Sequence, residues 1–184
     1  MIKIAGIAGS LRAGSFNSAL LRAAADVMPA GAELDIRPID DVPLYNADLE
    51  RESGIPRPVA ELKRAIEHAS GLVLATPEYN GGIPGVLKNA IDWMSRPSDD
   101  IPRVFHGKPV ALIGATPGGL GTTLSQAGWL QIQRTLRMRV WVDKGPLYVS
   151  GAGKLFDASG LSDAELRERL RNYMAAFVEH LGRA

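Results

Sequence analysis

The 184-residue chain has no cysteine. That removes disulfides, thiolate nucleophiles, iron–sulfur clusters and thiolate zinc sites together. It also lacks a long apolar run, so no segment reads as a membrane span. Charge is nearly balanced, with 21 Lys and Arg against 20 Asp and Glu and a formal net charge of +1. Such a balance, without a basic run or a basic patch interleaved with aromatics, argues against nucleic-acid binding and against an acidic interaction tail. Histidine is scarce: His68, His106 and His180 lie far apart, and none has a partner at metal-ligand spacing. The expectation is therefore no metal site. No internal repeat or low-complexity tract is present. The N-terminus enters an apolar stretch directly, with no basic leader and cleavage site. Together these features predict a single cytoplasmic domain over residues 1–184 with neither a membrane nor a nucleic-acid partner.

What is present alternates. Ile2–Ala8, Leu72–Thr76 and Val110–Ala115 are short apolar runs of the kind buried on both faces of a parallel sheet. Leu34–Ile39 alternates apolar and charged residues as an edge strand does, and Val140–Val142 is short and β-prone. Between them, Phe16–Met28, Val59–Ala69, Ile83–Ser95 and Thr122–Leu136 carry apolar residues at helical spacing. A last helix starts near Ser162, where Ser162 and Glu165 have the capping-box pattern. Residues 41–58 read as a long loop. Strands alternating with helices in this number predict an α/β fold of the flavodoxin-like class. That is a three-layer sandwich on a five-stranded parallel sheet in the order 2-1-3-4-5.

In that order, ligands bind beyond the carboxyl ends of the strands, at the reversal between the first and third. The first strand runs into "GSLRAGSFN" (Gly9–Asn17), the third into "PEYNGG" (Pro77–Gly82) and the fourth into "TPGG" (Thr116–Gly119). The first loop has the parts of a monophosphate site. Its glycines allow close backbone approach, Ser15 is placed to cap the following helix, and that helix's N-terminus offers free N–H groups. Ser10, Ser15 and Asn17 are possible donors, and Arg12 is a cationic partner. It is neither a Walker loop nor G-x-G-x-x-G. Ser10 and Ser15 are not nucleophiles of an elbow motif, because no acid–base partner is evident. The second loop suits the surface of a flat ring, with Tyr79 as an aromatic face and the Gly81-Gly82 pair keeping side chains clear. Trp93, Met94 and Trp129 fit either the core or a seam between subunits.

"GSLRAGSFN" together with "TPEYNGGIPGVLKNAIDWMSR" (Thr76–Arg96) resembles the NAD(P)H-dependent FMN reductase family, which includes bacterial quinone and chromate reductases and some azoreductases. "VPLYNAD" (Val42–Asp48) is similar to that family's loop after the second strand. The resemblance covers most of Met1 to Arg96. Beyond it, Trp129-Leu130 stands where chromate-reductase-like members carry a Leu-Arg pair. The resemblance implies bound FMN, NAD(P)H as co-substrate, and homodimers or homotetramers. It further implies hydride transfer through the flavin to a quinone, azo compound, free flavin or metal oxyanion. By the same resemblance Ser10, Arg12, Ser15, Phe16 and Asn17 hold the phosphate and ribityl end. Pro77, Glu78, Tyr79, Asn80 and Gly81 line the isoalloxazine, and Thr116, Gly118 and Gly119 flank it. No side chain is assigned as general acid or base, since the cofactor carries the chemistry; Glu78 is expected to position rather than to transfer protons. A flavodoxin-like electron carrier without a nicotinamide site, and a flavin-free phosphate-ligand protein, are the alternative readings.

Overall fold

In the computed structural model, residues 1–183 are described. Strands β1 (Ile2–Ala8), β2 (Ala32–Arg37), β3 (Gly71–Ala75), β4 (Pro109–Ala115) and β5 (Arg139–Val140) pair in parallel in the order β2-β1-β3-β4-β5. The helices are α1 (Phe16–Asp26), α2 (Ala47–Ser53), α3 (Arg57–His68), α4 (Gly85–Met94), α5 (Ile101–Phe105), α6 (Thr123–Thr135) and α7 (Ala164–Gly182). The order and the parallel pairing are those the sequence predicts.

The period of two along each strand builds two cores, one on each face of the sheet. Ile4, Val73, Ala75, Ala111 and Ile113 point to one side, beneath α1 and α7. Their neighbours Ala5, Leu72, Leu74, Val110 and Leu112 point to the other, beneath α3, α4 and α6. Trp93, Met94 and Trp129 are fully buried in this second core, which settles the choice between core and subunit seam in favour of the core.

Three features differ from expectation. The fifth strand comes in two pieces. β5 pairs with the start of β4, while β6 (Leu147–Val149) pairs with Ile113–Ala115 farther along the same edge. Trp141–Pro146 leaves the sheet between them, and the exposed Val142 outside the pairing explains why Val140–Val142 is not one strand. The 41–58 segment contains α2, capped by the Asn46 side chain accepting from the Asp48 N–H at 2.9 Å. The last helix is capped by Asp163, whose carboxylate accepts from the Leu166 N–H at 2.7 Å. Ser162 instead donates to the Leu155 carbonyl, so the capping box assigned to Ser162 and Glu165 is displaced by one residue. Beside it, β7 (Phe156–Asp157) and β8 (Gly160–Leu161) form a separate antiparallel pair.

Candidate functional site

The sheet's hydrogen bonding continues past the strand ends, which sets three loops side by side. The Gly9 N–H donates to the Ala75 carbonyl at 2.9 Å, Thr76 N–H to Ile113 at 2.8 Å, and Thr116 N–H to Val149 at 2.9 Å. Gly9 has to be glycine here. A β-carbon at that position would lie 2.8 Å from Leu87 and 3.0 Å from Pro77 and Pro84.

Helix α1 begins where the first loop ends. Ser15, in extended backbone, caps it by accepting from the Ser18 N–H at 3.2 Å. No acidic residue stands in the first turn, so the partial positive charge of the helix end, about half an elementary charge, is not cancelled locally. Arg12 lies with its guanidinium 5.5 Å from the centre of the Phe16 ring, a cation–π arrangement. Among the described residues it has no carboxylate within ion-pair distance. Asn17 is buried and makes a two-way pair with the backbone of Ala115. Its amide nitrogen donates to the carbonyl at 2.8 Å, and its amide oxygen accepts from the N–H at 2.9 Å. That side chain ties the first loop to the end of β4.

The second loop is a tight reversal. Tyr79 and Gly82 exchange backbone hydrogen bonds at 3.2 and 3.0 Å, and both central residues, Asn80 and Gly81, have positive φ, 52° and 70°. Asn-Gly is the pair that this mirror-image turn favours. The turn presents Tyr79, half exposed, with its hydroxyl 3.4 Å from the Ser10 hydroxyl across the cleft.

Glu78, partly buried, reaches the start of α6. Its carboxylate accepts from the N–H groups of Leu124 (2.8 Å) and Ser125 (3.1 Å), satisfying two of the free donors of that helix end. Thr122, the residue at the cap position, sits in the left-handed region at φ 68° and makes no side-chain cap. The carboxylate does that work from the neighbouring loop.

Beneath the loops is a buried polar knot that the sequence reading missed. The Thr76 hydroxyl bonds the Ser125 hydroxyl at 2.8 Å, receives the Trp129 indole N–H at 3.0 Å and reaches the Pro77 carbonyl at 3.0 Å. Gly114 in β4 is what makes room for it, since a β-carbon there would lie 2.0 Å from the Thr122 hydroxyl and 2.5 Å from the Thr76 carbonyl. A glycine inside an apolar strand was the available signal.

The 42–46 loop is fastened to α4. The Pro43 carbonyl accepts from Asn89 and from the Trp93 indole, both at 2.8 Å, and Tyr45 packs edge-on against Trp93 at 5.0 Å. The Tyr45 hydroxyl donates to Glu50 at 3.0 Å, which holds the phenol above its ordinary pKa. Arg96, 2.9 Å from the same carboxylate, holds Glu50 below the usual range. Leu44 is left standing out at 81% exposure.

The structure gathers Ser10, Arg12, Ser15, Phe16, Asn17, Pro77, Glu78, Tyr79 and Thr116 around one cavity of about 240 Å³, adding Ala115 and Pro117. Asn80, Gly81, Gly118 and Gly119 lie outside its lining: the first two form the tip of the turn, and the last two have open space where a β-carbon would stand or only a distant Thr116. A capped helix end, an arginine without a counter-ion and flanking hydroxyls fit a terminal monophosphate. An exposed tyrosine across the cleft fits an attached aromatic ring.

The sequence profile of the family described as NADPH-dependent FMN reductase matches residues 2–150. An NAD(P)H-dependent FMN reductase of Pseudomonas aeruginosa is 41% identical over 95% of this chain and 92% of its own length. A 2-hydroxy-1,4-benzoquinone reductase of a Burkholderia species is 37% identical, with 97% and 93% covered. Among solved structures, the flavoenzyme NAD(P)H:(acceptor) oxidoreductase of Paracoccus denitrificans superposes with a TM-score of 0.87 at 31% identity, over 100% of this chain and 98% of that one. With the family profile over residues 2–150 and relatives of 37–41% identity along nearly the whole chain, the chain belongs to the NADPH-dependent FMN reductase family.

Proposed function

We propose that the protein, acting as one domain over its whole length, is an FMN-dependent NAD(P)H oxidoreductase that passes two electrons to a small-molecule acceptor. A quinone is the favoured acceptor, and free flavin, azo compounds and chromate are further oxidants for an open site. The observation that carries this reading is the unpaired Arg12 at the N-terminus of α1, facing the Tyr79 loop across one cavity. Bound FMN would supply the hydride chemistry, accepting from the nicotinamide and giving to the acceptor. The residues do the holding. Ser10, Arg12 and the α1 N-terminus bind the phosphate; Phe16 braces the Arg12 guanidinium; Asn17 fixes the loop against β4. Pro77 to Gly81 form the ring-side wall, kept rigid from below by Thr76 and from the side by Glu78. Thr116, Gly118 and Gly119 border the same side.

No helix of the described residues is long and apolar enough to cross a membrane. The absence of cysteine fits the reducing cytoplasm, where we place the protein. The exposed Leu44, Leu120 and Leu124 favour a homodimer or homotetramer in which a second copy covers them.

The test is spectroscopic. Purified protein supplied with FMN is expected to show flavin absorbance, to bleach on anaerobic addition of NADPH or NADH, and to recover colour with a quinone. Protein that takes up FMN but does not bleach would instead be an electron carrier.

A further inference from the structure

On the other side of the phosphate loop lies a second cleft, of about 550 Å³, between α1 and the carboxyl end of β2. It shares Ser10 and Arg12 with the first cavity, so one loop forms the wall between the two. Arg22, exposed on α1, enters it, and among the described residues this guanidinium also has no carboxylate partner. Arg37 is present but spent on Asp35 at 2.9 Å. Asp40 contributes from the segment after β2, and the exposed Leu11 and Ile36 give the cleft an apolar side. With Arg12 assigned to the flavin phosphate, the free charge of this space is Arg22 against Asp40.

We propose that this cleft receives the adenosine-phosphate end of the co-substrate, with Arg22 meeting the ribose 2′-phosphate and so favouring NADPH over NADH. The inference rests on the flavin reading above. The strand order carries it. The ring-side loops follow β3 and β4, the phosphate loop follows β1, and the cleft opens between β1 and β2. Two steps of adjacent strands separate the β3–β4 gap from the β1–β2 gap, a lateral distance of about 10 Å. A dinucleotide whose nicotinamide lies against the ring side spans that interval. A doubly charged phosphate beside the unpaired Arg22 guanidinium gains a charge-assisted, two-pronged hydrogen bond that NADH cannot make. Asp40 offers an acceptor to a ribose hydroxyl and opposes any anion placed on its own side. The apolar side made by Leu11 and Ile36 suits the flat face of a purine.

The test uses FMN-loaded protein and 2′,5′-ADP as the probe, followed by titration calorimetry, with 5′-AMP as the control. Wild-type protein is expected to bind 2′,5′-ADP at least tenfold more tightly than 5′-AMP. Arg22→Ala should weaken 2′,5′-ADP about tenfold and Arg22→Lys much less, and in steady state Arg22→Ala should raise the ratio of KM for NADPH to KM for NADH about tenfold. Equal binding of the two probes by the wild type, or unchanged 2′,5′-ADP binding in Arg22→Ala, overturns the proposal. Because the probe transfers no electrons, these outcomes are separate from failure of the flavin reading, which appears as missing FMN absorbance.

Discussion

The carboxylate of Glu78 accepts a hydrogen bond from the backbone N–H of Leu124 at 2.8 Å, joining the ring-side loop to the start of α6. Because Thr122 is left-handed and cannot cap, this contact and its partner at Ser125 are the capping interaction of that helix. Glu78→Ala should cost about 1 kcal/mol, as loss of a helix cap does. It should also shift the flavin absorbance maxima by loosening the loop. Glu78→Gln retains one acceptor oxygen and should lose less. Chemical denaturation with flavin spectra on the three proteins checks this; an Ala variant as stable as wild type contradicts it.

Thr76 is the hub of the buried knot. Thr76→Val keeps the shape and deletes the hydroxyl, leaving the Trp129 indole N–H and the Ser125 hydroxyl without their partner. A loss of about 2 kcal/mol is expected, with a change in tryptophan fluorescence, whereas Thr76→Ser should stay close to wild type. Melting curves of both variants decide it.

Gly114→Ala should be harsher than its single added methyl suggests. The new carbon would collide with the Thr122 hydroxyl and the Thr76 carbonyl, neither of which lies at a flexible end. Overpacking of this kind costs about 3 kcal/mol. FMN affinity should fall with stability, since β4 and its loop must shift. Alanine at Gly153, where nothing lies within 4 Å and which is outside the flavin site, is the control and should be tolerated.

The architecture was legible where burial alone decides. β1, β3 and β4 are apolar on both faces, so their sequences state both the strand and its place in the middle of the sheet. The Ser15 cap was legible because local backbone chemistry restricts the residues that fit, whereas the reversal falls at Asn80-Gly81, one residue before the Gly81-Gly82 pair singled out in the sequence. The fifth strand was not. Its two halves are two and three residues long, too short for a period to show, and only β4 unites them. The site's support was also hidden. Glu78 and Leu124, or Thr76 and Trp129, are some fifty positions apart, and nothing in either segment names the other. Lys63 is a further case: a lysine at a helix position that is 97% shielded reads from sequence as a surface residue.

That lysine pairs with Asp100 and with the Arg96 carbonyl. Arg103 also donates to Asp100, and the two cations hold its carboxyl down to about 2 from 3.8. Lowered in the folded state, this carboxylate contributes stability that is fully present above about pH 4 and is lost as pH falls from there through about 2. Asp100→Asn should flatten that acid dependence and cost about 2–3 kcal/mol at neutral pH by leaving Lys63 buried without its counter-ion, the partial exposure of Asp100 tempering the loss. Lys63→Met should be milder. Urea midpoints at pH 7 and pH 3 for both variants measure the difference.

The central claim is that Arg12 and the α1 N-terminus hold the phosphate of FMN, and FMN affinity of the wild type against Arg12→Ala tests it most directly. Fluorescence titration of flavin-stripped protein should show Arg12→Ala binding FMN at least tenfold more weakly while riboflavin, which lacks the phosphate, binds both proteins alike. Equal FMN affinity in the two proteins would place the phosphate elsewhere and contradict the account.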